Sequence, residues 1–324
     1  LTHPYGIFFE YAFFQTNMSL FSLLAALLLE HLHPLKNRMW VYQYFGRYAD
    51  FLEQYFNAGK KQHGAIAWGL AVLPPVVLVG VVQWIFYSIN PLLAWLWGAT
   101  VLYATMGFKY YSETVSEIAL ALKRGELEQA RSLFAKWRGQ AVNVQEPGDV
   151  ARLTIEHALL SSHRQMFAVI FWFILLGPAG AVLYRLASVM QHKWGEREDM
   201  EFGEFGRFAA RFFELYDWLP VRLTALCFAV VGDFEDAVYC WRAQAQSWMN
   251  PTQGILLASG AGALGVKLGE ALHLEGSLEF RPELGVGDEA DPDYVESAVS
   301  LIWRTLVLWL AILLLLQLGR WVGG

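Results

Sequence analysis

The sequence predicts an all-α fold: a polytopic helical membrane protein with about four to five membrane helices, short half-helices and amphipathic interfacial helices. Three observations carry that expectation. Residues 64–108 run for forty-five positions without an Asp, Glu, Lys, Arg or His, where ~20 apolar residues suffice to cross the hydrocarbon core of a bilayer. Residues 166–184 and 299–318 add two further apolar stretches, the first free of charge and the second interrupted only by Arg304. The 324 residues are 56% hydrophobic, with 14 Trp and a net charge of −6. That balance excludes disorder, and it argues against a nucleic-acid partner, which needs a basic surface.

Taken in order, residues 1–17 read as an upstream extension, because Met18 opens a natural-looking start, Met18-Ser19-Leu20-Phe21. Residues 18–324 then form a single membrane domain with a cytoplasmic helical loop at 109–165. The apolar run 19–29 is short for a span and ends at Glu30-His31-Leu32-His33-Pro34. Within 64–108, Asn90-Pro91 divides two membrane helices, 64–89 and 91–108, since proline lacks a donor and disfavours helix in the residue before it. The loop before this hairpin carries five Lys or Arg and the loop after it eight. Both therefore face the cytoplasm by the positive-inside rule.

Inside the 109–165 loop, Val115, Ile118, Ala119 and Leu122, then Leu127, Ala130, Leu133 and Phe134, recur at helical spacing on either side of Gly125. They predict two amphipathic helices. Pro147-Gly148 ends the unit, with Asp149 capping a helix through Glu156. Residues 166–184 form a span kinked at Gly177-Pro178. Residues 204–217 place Phe205, Phe208, Ala209, Phe212 and Tyr216 opposite Arg207, Arg211 and Glu214, the pattern of an interfacial helix. The apolar runs 218–232 and 254–269 are short enough to read as half-helices or re-entrant segments.

Several motifs have two readings. Gly260-Ala261-Gly262-Ala263-Leu264-Gly265 fits a dinucleotide fingerprint, but that needs a strand before it and a helix after it; small residues that let helices approach closely are favoured. Glu30, His31 and His33 have metal-ligand chemistry, yet the two His point to different sides of a helix, which favours a polar membrane boundary. The acidic run from Glu283 to Asp293 suits a hard cation. It is explained without one by Asp291 as cap, Pro292 at the first helical position and acids against the dipole. Arg222 is either a site for phosphate or carboxylate or an interfacial cation snorkelling beside Trp218, and both readings stand open. Cys227 and Cys240 offer no disulfide framework and no Cys-x-x-Cys pair.

Several segments in sequence order resemble the CobD/CbiB family of cobalamin-biosynthesis membrane proteins. They are the Glu117–Trp137 helices, Val150-Ala151-Arg152-Leu153-Thr154-Ile155-Glu156, and Phe171-Trp172 before Gly177-Pro178 with Tyr184-Arg185. Trp218-Leu219-Pro220-Val221-Arg222, the run from Ala261 to Gly269, and Arg281-Pro282-Glu283-Leu284-Gly285 complete the series. The resemblance implies an adenosylcobinamide-phosphate synthase, an amide-forming ligase that joins an aminopropanol phosphate to a corrinoid carboxylate with ATP and Mg²⁺. On it, Glu156, Glu214 and Asp217 are the candidate catalytic residues. Arg222, Arg185, Arg211, Gly262 and Gly265 are the candidate ligand-binding residues, the partners being the lipid bilayer and a corrinoid or other anionic small molecule. The chain departs from the family where the family's carboxylates and amides fall on Leu160, Ser161, Arg164, Ser188, Gln191, Phe213 and Leu257. Keeping the scaffold while losing acids also resembles AmpE, which implies the alternative of a non-catalytic sensor or accessory protein.

Overall fold

The computed structural model describes residues 20–33, 39–139, 144, 146–197, 202–274 and 277–323; the extension read at 1–17 lies outside them. Helices dominate. Among the described residues three are long and apolar enough to cross a membrane, spanning Lys61–Ile89, Pro147–Gly195 and Pro292–Gly319, beside the shorter apolar helices Leu20–Leu32 and Pro91–Thr105. At 1.5 Å per residue the last is about 22 Å long, short of the ~30 Å hydrocarbon thickness. The protein is thus a polytopic helical membrane protein. Large apolar side chains on its longest hairpin, such as Val77, Leu78 and Trp84, point outward, as a surface wetted by lipid requires.

The chain divides into two compact units, one formed by residues 1–107, 164–217 and 313–324, the other by 108–163 and 218–312. In the first, α1 (Leu20–Leu32) and α2 (Met39–Phe56) precede the hairpin of α3 (Lys61–Ile89) and α4 (Pro91–Thr105). The hairpin turns at Asn90, whose extended backbone and side-chain oxygen, accepting from Leu92 N–H at 2.8 Å, cap α4 ahead of its first-position proline. Helix α8 (Ala168–Met190) packs on both α3 and α4. Its kink falls where expected, at Gly177, whose φ of 68° only glycine adopts without strain. Gly98 makes the close approach, facing the Phe173 ring and Pro178. Glu53 of α2 accepts from the Trp194 indole at 3.1 Å and from Arg197 at 2.7 Å, anchoring the segment after α8.

Helix α9 runs unbroken from Arg207 to Val231 through Pro220, so residues 218–232 are not a separate half-helix. Proline deletes one intrahelical donor, and the segment's apolar pattern continues through that gap. Just before α9 Phe205 is buried, and along the helix's first half Ala209 is buried and Phe208, Phe212 and Tyr216 half-buried, while Arg207, Arg211 and Glu214 are exposed. The predicted faces hold, and Phe213, which the sequence did not assign to the apolar face, is buried as well.

The second unit begins with α5 (Phe108–Lys123) and α6 (Leu127–Arg138), separated at Gly125 as expected, with Val115, Ile118, Ala119, Ala130 and Phe134 buried. Helix α7 runs Pro147–Ser162. It starts at Pro147, so Asp149 is not its cap: that carboxylate lies in the first turn and accepts from Arg152 at 2.5 Å. Helices α10 (Phe234–Gln244) and α11 (Pro251–Leu264) pair closely. Every residue from Gly254 to Ala263 is buried. This corrects the re-entrant reading of 254–269, because a helix enclosed by protein on all sides is apolar all round without entering a membrane. Gly262 faces the Asp236 carbonyl and Gly260 the Leu159 side chain, so the glycine run serves close helix packing. A strand before it, which a dinucleotide site requires, is not present among the described residues.

After α11 the chain forms a strap that the sequence did not suggest. Leu268 and Leu284 exchange backbone hydrogen bonds at 2.7 and 2.8 Å, Lys267 N–H donates to the Asp288 carbonyl at 2.9 Å, and β1 (Leu272–Leu274) pairs antiparallel with β2 (Ser277–Glu279). Asp291 then accepts from the N–H groups of Asp293 and Tyr294 and caps α12 (Pro292–Gly323), as its sequence predicts. The acids ahead of it are partnered: Lys267 reaches Glu289 at 3.3 Å and Glu283 at 3.7 Å.

Candidate functional site

Two polar centres stand out, one in each unit. In the second unit, helical spacing puts Asp149, Arg152 and Glu156 on one face of α7. The strap lies on that face. Arg152 is paired with both Asp149 and Glu270. Glu156 accepts from Gly269 N–H at 2.9 Å and receives Arg281 Nη1 at 2.6 Å and Nη2 at 3.3 Å. The Arg281 guanidinium is completed by the carbonyls of Gly269, at 2.9 Å from Nη2, and Glu270, at 3.1 Å from Nε, and it lies over the Trp248 ring with its carbon 5.5 Å from the centroid. Both charged side chains are nearly inaccessible, at 13% and 7%. Gly269 is required there: its φ is 83°, and a Cβ would come within 2.0 Å of the Pro282 carbonyl oxygen.

The ion pair forms one wall of a cavity of about 240 Å³. Phe134 and Arg138 from α6, Leu153, His157 and Leu160 from α7, and Gln253 and Leu257 from α11 line it, with Trp248, Met249 and the segment Phe280–Pro282. The His157 ring meets the edge of Trp137 at 4.4 Å between centroids.

In the first unit, the Tyr184 hydroxyl donates to Asp217 at 2.8 Å, and both side chains are buried. Trp172 stacks on Tyr216 at 3.8 Å, and Arg164 lies 6.0 Å from the centroid of Phe213. Arg185 is half-buried, whereas Arg211 and Glu214 are exposed on α9.

Of the residues singled out from sequence, Asp217 therefore sits at a buried polar centre and Glu156 in the cavity wall. Arg222 donates to the Trp218 carbonyl at 2.8 Å, with its guanidinium carbon 4.2 Å from the Trp218 ring centroid. It is not among the cavity residues. Gly262 belongs to the α10–α11 contact, and Gly265, with φ of 67°, ends α11 in a left-handed cap. Sequence reasoning did not assign Arg138, Arg281, Gln253 or Trp248 to a site. Arg281 had one signal, its place in Arg281-Pro282-Glu283-Leu284-Gly285; the others carry no local pattern that separates them from surface residues.

Chemically, Glu156 is closed by its guanidinium and backbone partners, which leaves it poorly placed to ligate a cation. Among the described residues no three His, Cys, Asp or Glu side chains converge. The described residues do not fit a divalent metal held by the protein alone.

The family model described as CobD/Cbib protein matches residues 23–302. The chain is 39% identical to the cobalamin biosynthesis protein CobD of Stutzerimonas stutzeri, over 94% of this chain and 99% of that protein. It is 37% identical to the protein of the same name from Chromobacterium violaceum, over 68% and 71% of the two chains. With that from Mycobacterium tuberculosis it shares 29% identity over 75% and 78%. No solved structure matches it.

Proposed function

This chain belongs to the CobD/CbiB family, and from that premise we propose that it serves cobalamin biosynthesis in the bacterial inner membrane. The step is the one that the resemblance implies, joining an aminopropanol phosphate to a corrinoid carboxylate. The observation that carries this reading is likeness along nearly the whole length of the Stutzerimonas relative, whose name places that protein in cobalamin biosynthesis. Asp217, Glu214 and Glu156 are the acids offered to such a reaction, and Arg185, Arg211 and Arg222 the cations for its anionic partners. ATP and Mg²⁺ belong to the reaction class; no step of this reading passes through a metal held by the protein.

One observation favours a second reading. Leu160 and Leu257, two positions where the family resemblance expects polar groups, contribute apolar wall to the cavity beside Glu156. A site apolar there suits an AmpE-like accessory protein that keeps the scaffold without the chemistry.

The test is an assay on the purified protein with adenosylcobyric acid, aminopropanol phosphate and Mg-ATP, beside a verified synthase, with product read by mass spectrometry. Product that disappears in Glu214→Gln or Asp217→Asn establishes the ligase. Absence of product beside a working control leaves the accessory reading.

A further inference from the structure

The cavity walled by Glu156 and Arg281 has an unbalanced charge. Its two buried ions neutralise each other, and four hydrogen bonds from Arg281 are spent on Glu156 and on the Gly269 and Glu270 carbonyls. Arg138 remains, at the exposed lip where α6 ends, with no acidic side chain paired to it among the described residues. His157 and the carboxamide of Gln253 face the same space. The rest of the lining is apolar, and two of its members, Met249 and Phe280, are 92% and 85% exposed. Both stand beside that cation in the lining of one cavity, so an apolar wall and an exposed guanidinium border the same space. The volume limits what that space can enclose. About 240 Å³ is below the ~300–1,000 Å³ of clefts that enclose drug-sized ligands, so a corrinoid or a nucleotide is not enclosed here.

We propose that this cavity binds an amphipathic organic monoanion, a carboxylate or phosphodiester whose charge meets Arg138 and whose apolar body lies against Trp248 and Phe280. A guanidinium suits either head group, because its planar donors pair with two oxygens at once. A free metabolite and an acidic lipid head group share this chemistry. The site goes beyond the pathway reading and does not depend on it: it holds or fails whether or not the protein is a ligase.

The test titrates benzoate, a monoanion with a flat apolar body, into the full chain in phosphatidylcholine nanodiscs and reads heat by calorimetry. The expected result is saturable one-to-one binding that weakens about tenfold or more in Arg138→Ala and recovers in part in Arg138→Lys. Arg131→Ala, which removes a surface cation already paired with Glu128, leaves binding unchanged. Repeating the titration in discs containing phosphatidylglycerol identifies the source. Binding suppressed by that lipid assigns the site to an acidic head group, and binding that persists assigns it to a free anion; both support the site. Equal affinity in Arg138→Ala, or no binding by the wild type in phosphatidylcholine, overturns it.

Discussion

Arg281 reaches Glu156 across 125 positions of sequence and meets both of its carboxylate oxygens, at 2.6 and 3.3 Å. With Arg152–Glu270 and the Gly269 N–H bond to Glu156, this pair ties the strap to α7. Removing one partner strands a buried charge, which costs about 3–5 kcal/mol, whereas replacing both with apolar groups is often nearly neutral. Arg281→Met should therefore lower the unfolding temperature in detergent sharply, and adding Glu156→Leu should restore most of it. A double variant no more stable than Arg281→Met would show that the pair does not act as a unit.

The two glycines offered as ligand contacts should behave differently from each other. A Cβ on Gly262 would come within 2.4 Å of the Asp236 carbonyl oxygen, but one on Gly265 meets nothing within 4 Å. Gly262→Ala should destabilise by about 1–3 kcal/mol through overpacking. Gly265→Ala should cost only the left-handed backbone penalty, about 1–2 kcal/mol, and Gly265→Asn less. Thermal unfolding of the three variants checks the order.

Tyr184→Phe removes the hydroxyl that donates to buried Asp217 at 2.8 Å. A hydrogen bond between buried side chains contributes about 1 kcal/mol net, and a loss of at least that size is expected in chemical denaturation. An unchanged midpoint would mean that Asp217 finds another donor.

Lys123 sits 2.8 Å from both Asp293 and Glu296, and hydrogen bonds to these two carboxylates raise its ammonium above the ordinary 10.5. A raised lysine stabilises fully below its unfolded pKa and loses that contribution as pH climbs through the higher folded value. The gap in melting temperature between wild type and Lys123→Met should thus stay constant from neutral pH to about 10 and close above that. Because the ammonium is exposed, salt should narrow the gap as well.

The Cys240 thiol is buried, and burial with Asp236 nearby pushes it up to about 11. At neutral pH it is therefore protonated and poorly nucleophilic. A thiol reagent should leave it unlabelled in the native protein and label it after denaturation, as mass spectrometry of the tryptic peptide would show.

What the sequence reveals here depends on whether a physical signal is local. Asn90-Pro91, Gly125, Gly177-Pro178 and Asp291-Pro292 each act on their own backbone, and the structure turns, breaks, kinks or caps at every one. The apolar stripe of α5, with Val115, Ile118 and Ala119, is equally legible, because one helix face reports its own burial. Residues 254–263 mislead for the opposite reason. Apolarity without direction looks the same in lipid and in a protein core, and only the packing of α11 against α10 decides between them. The strap was hidden because its partners are distant: nothing near Gln244 in sequence indicates that it will pair with Gly285. The same holds for the cavity, whose residues come from four separate stretches of chain. Of the residues singled out beforehand, Glu156 and Asp217 occupy buried polar centres, and both were singled out by the family resemblance rather than by any local pattern.

The Gln244 carboxamide accepts from the Gly285 N–H at 2.6 Å and donates to its carbonyl at 3.1 Å, so one side chain fills the place of a neighbouring strand. At its other end the strap is held where Glu156 receives Gly269 N–H. The backbone is thus clamped at residues 269 and 285, and the paired strands β1 and β2 lie between those two points along the chain. Length added within that hairpin does not shift the register of either clamp. It is the stretch where an inserted epitope or fluorescent label should leave both clamps intact.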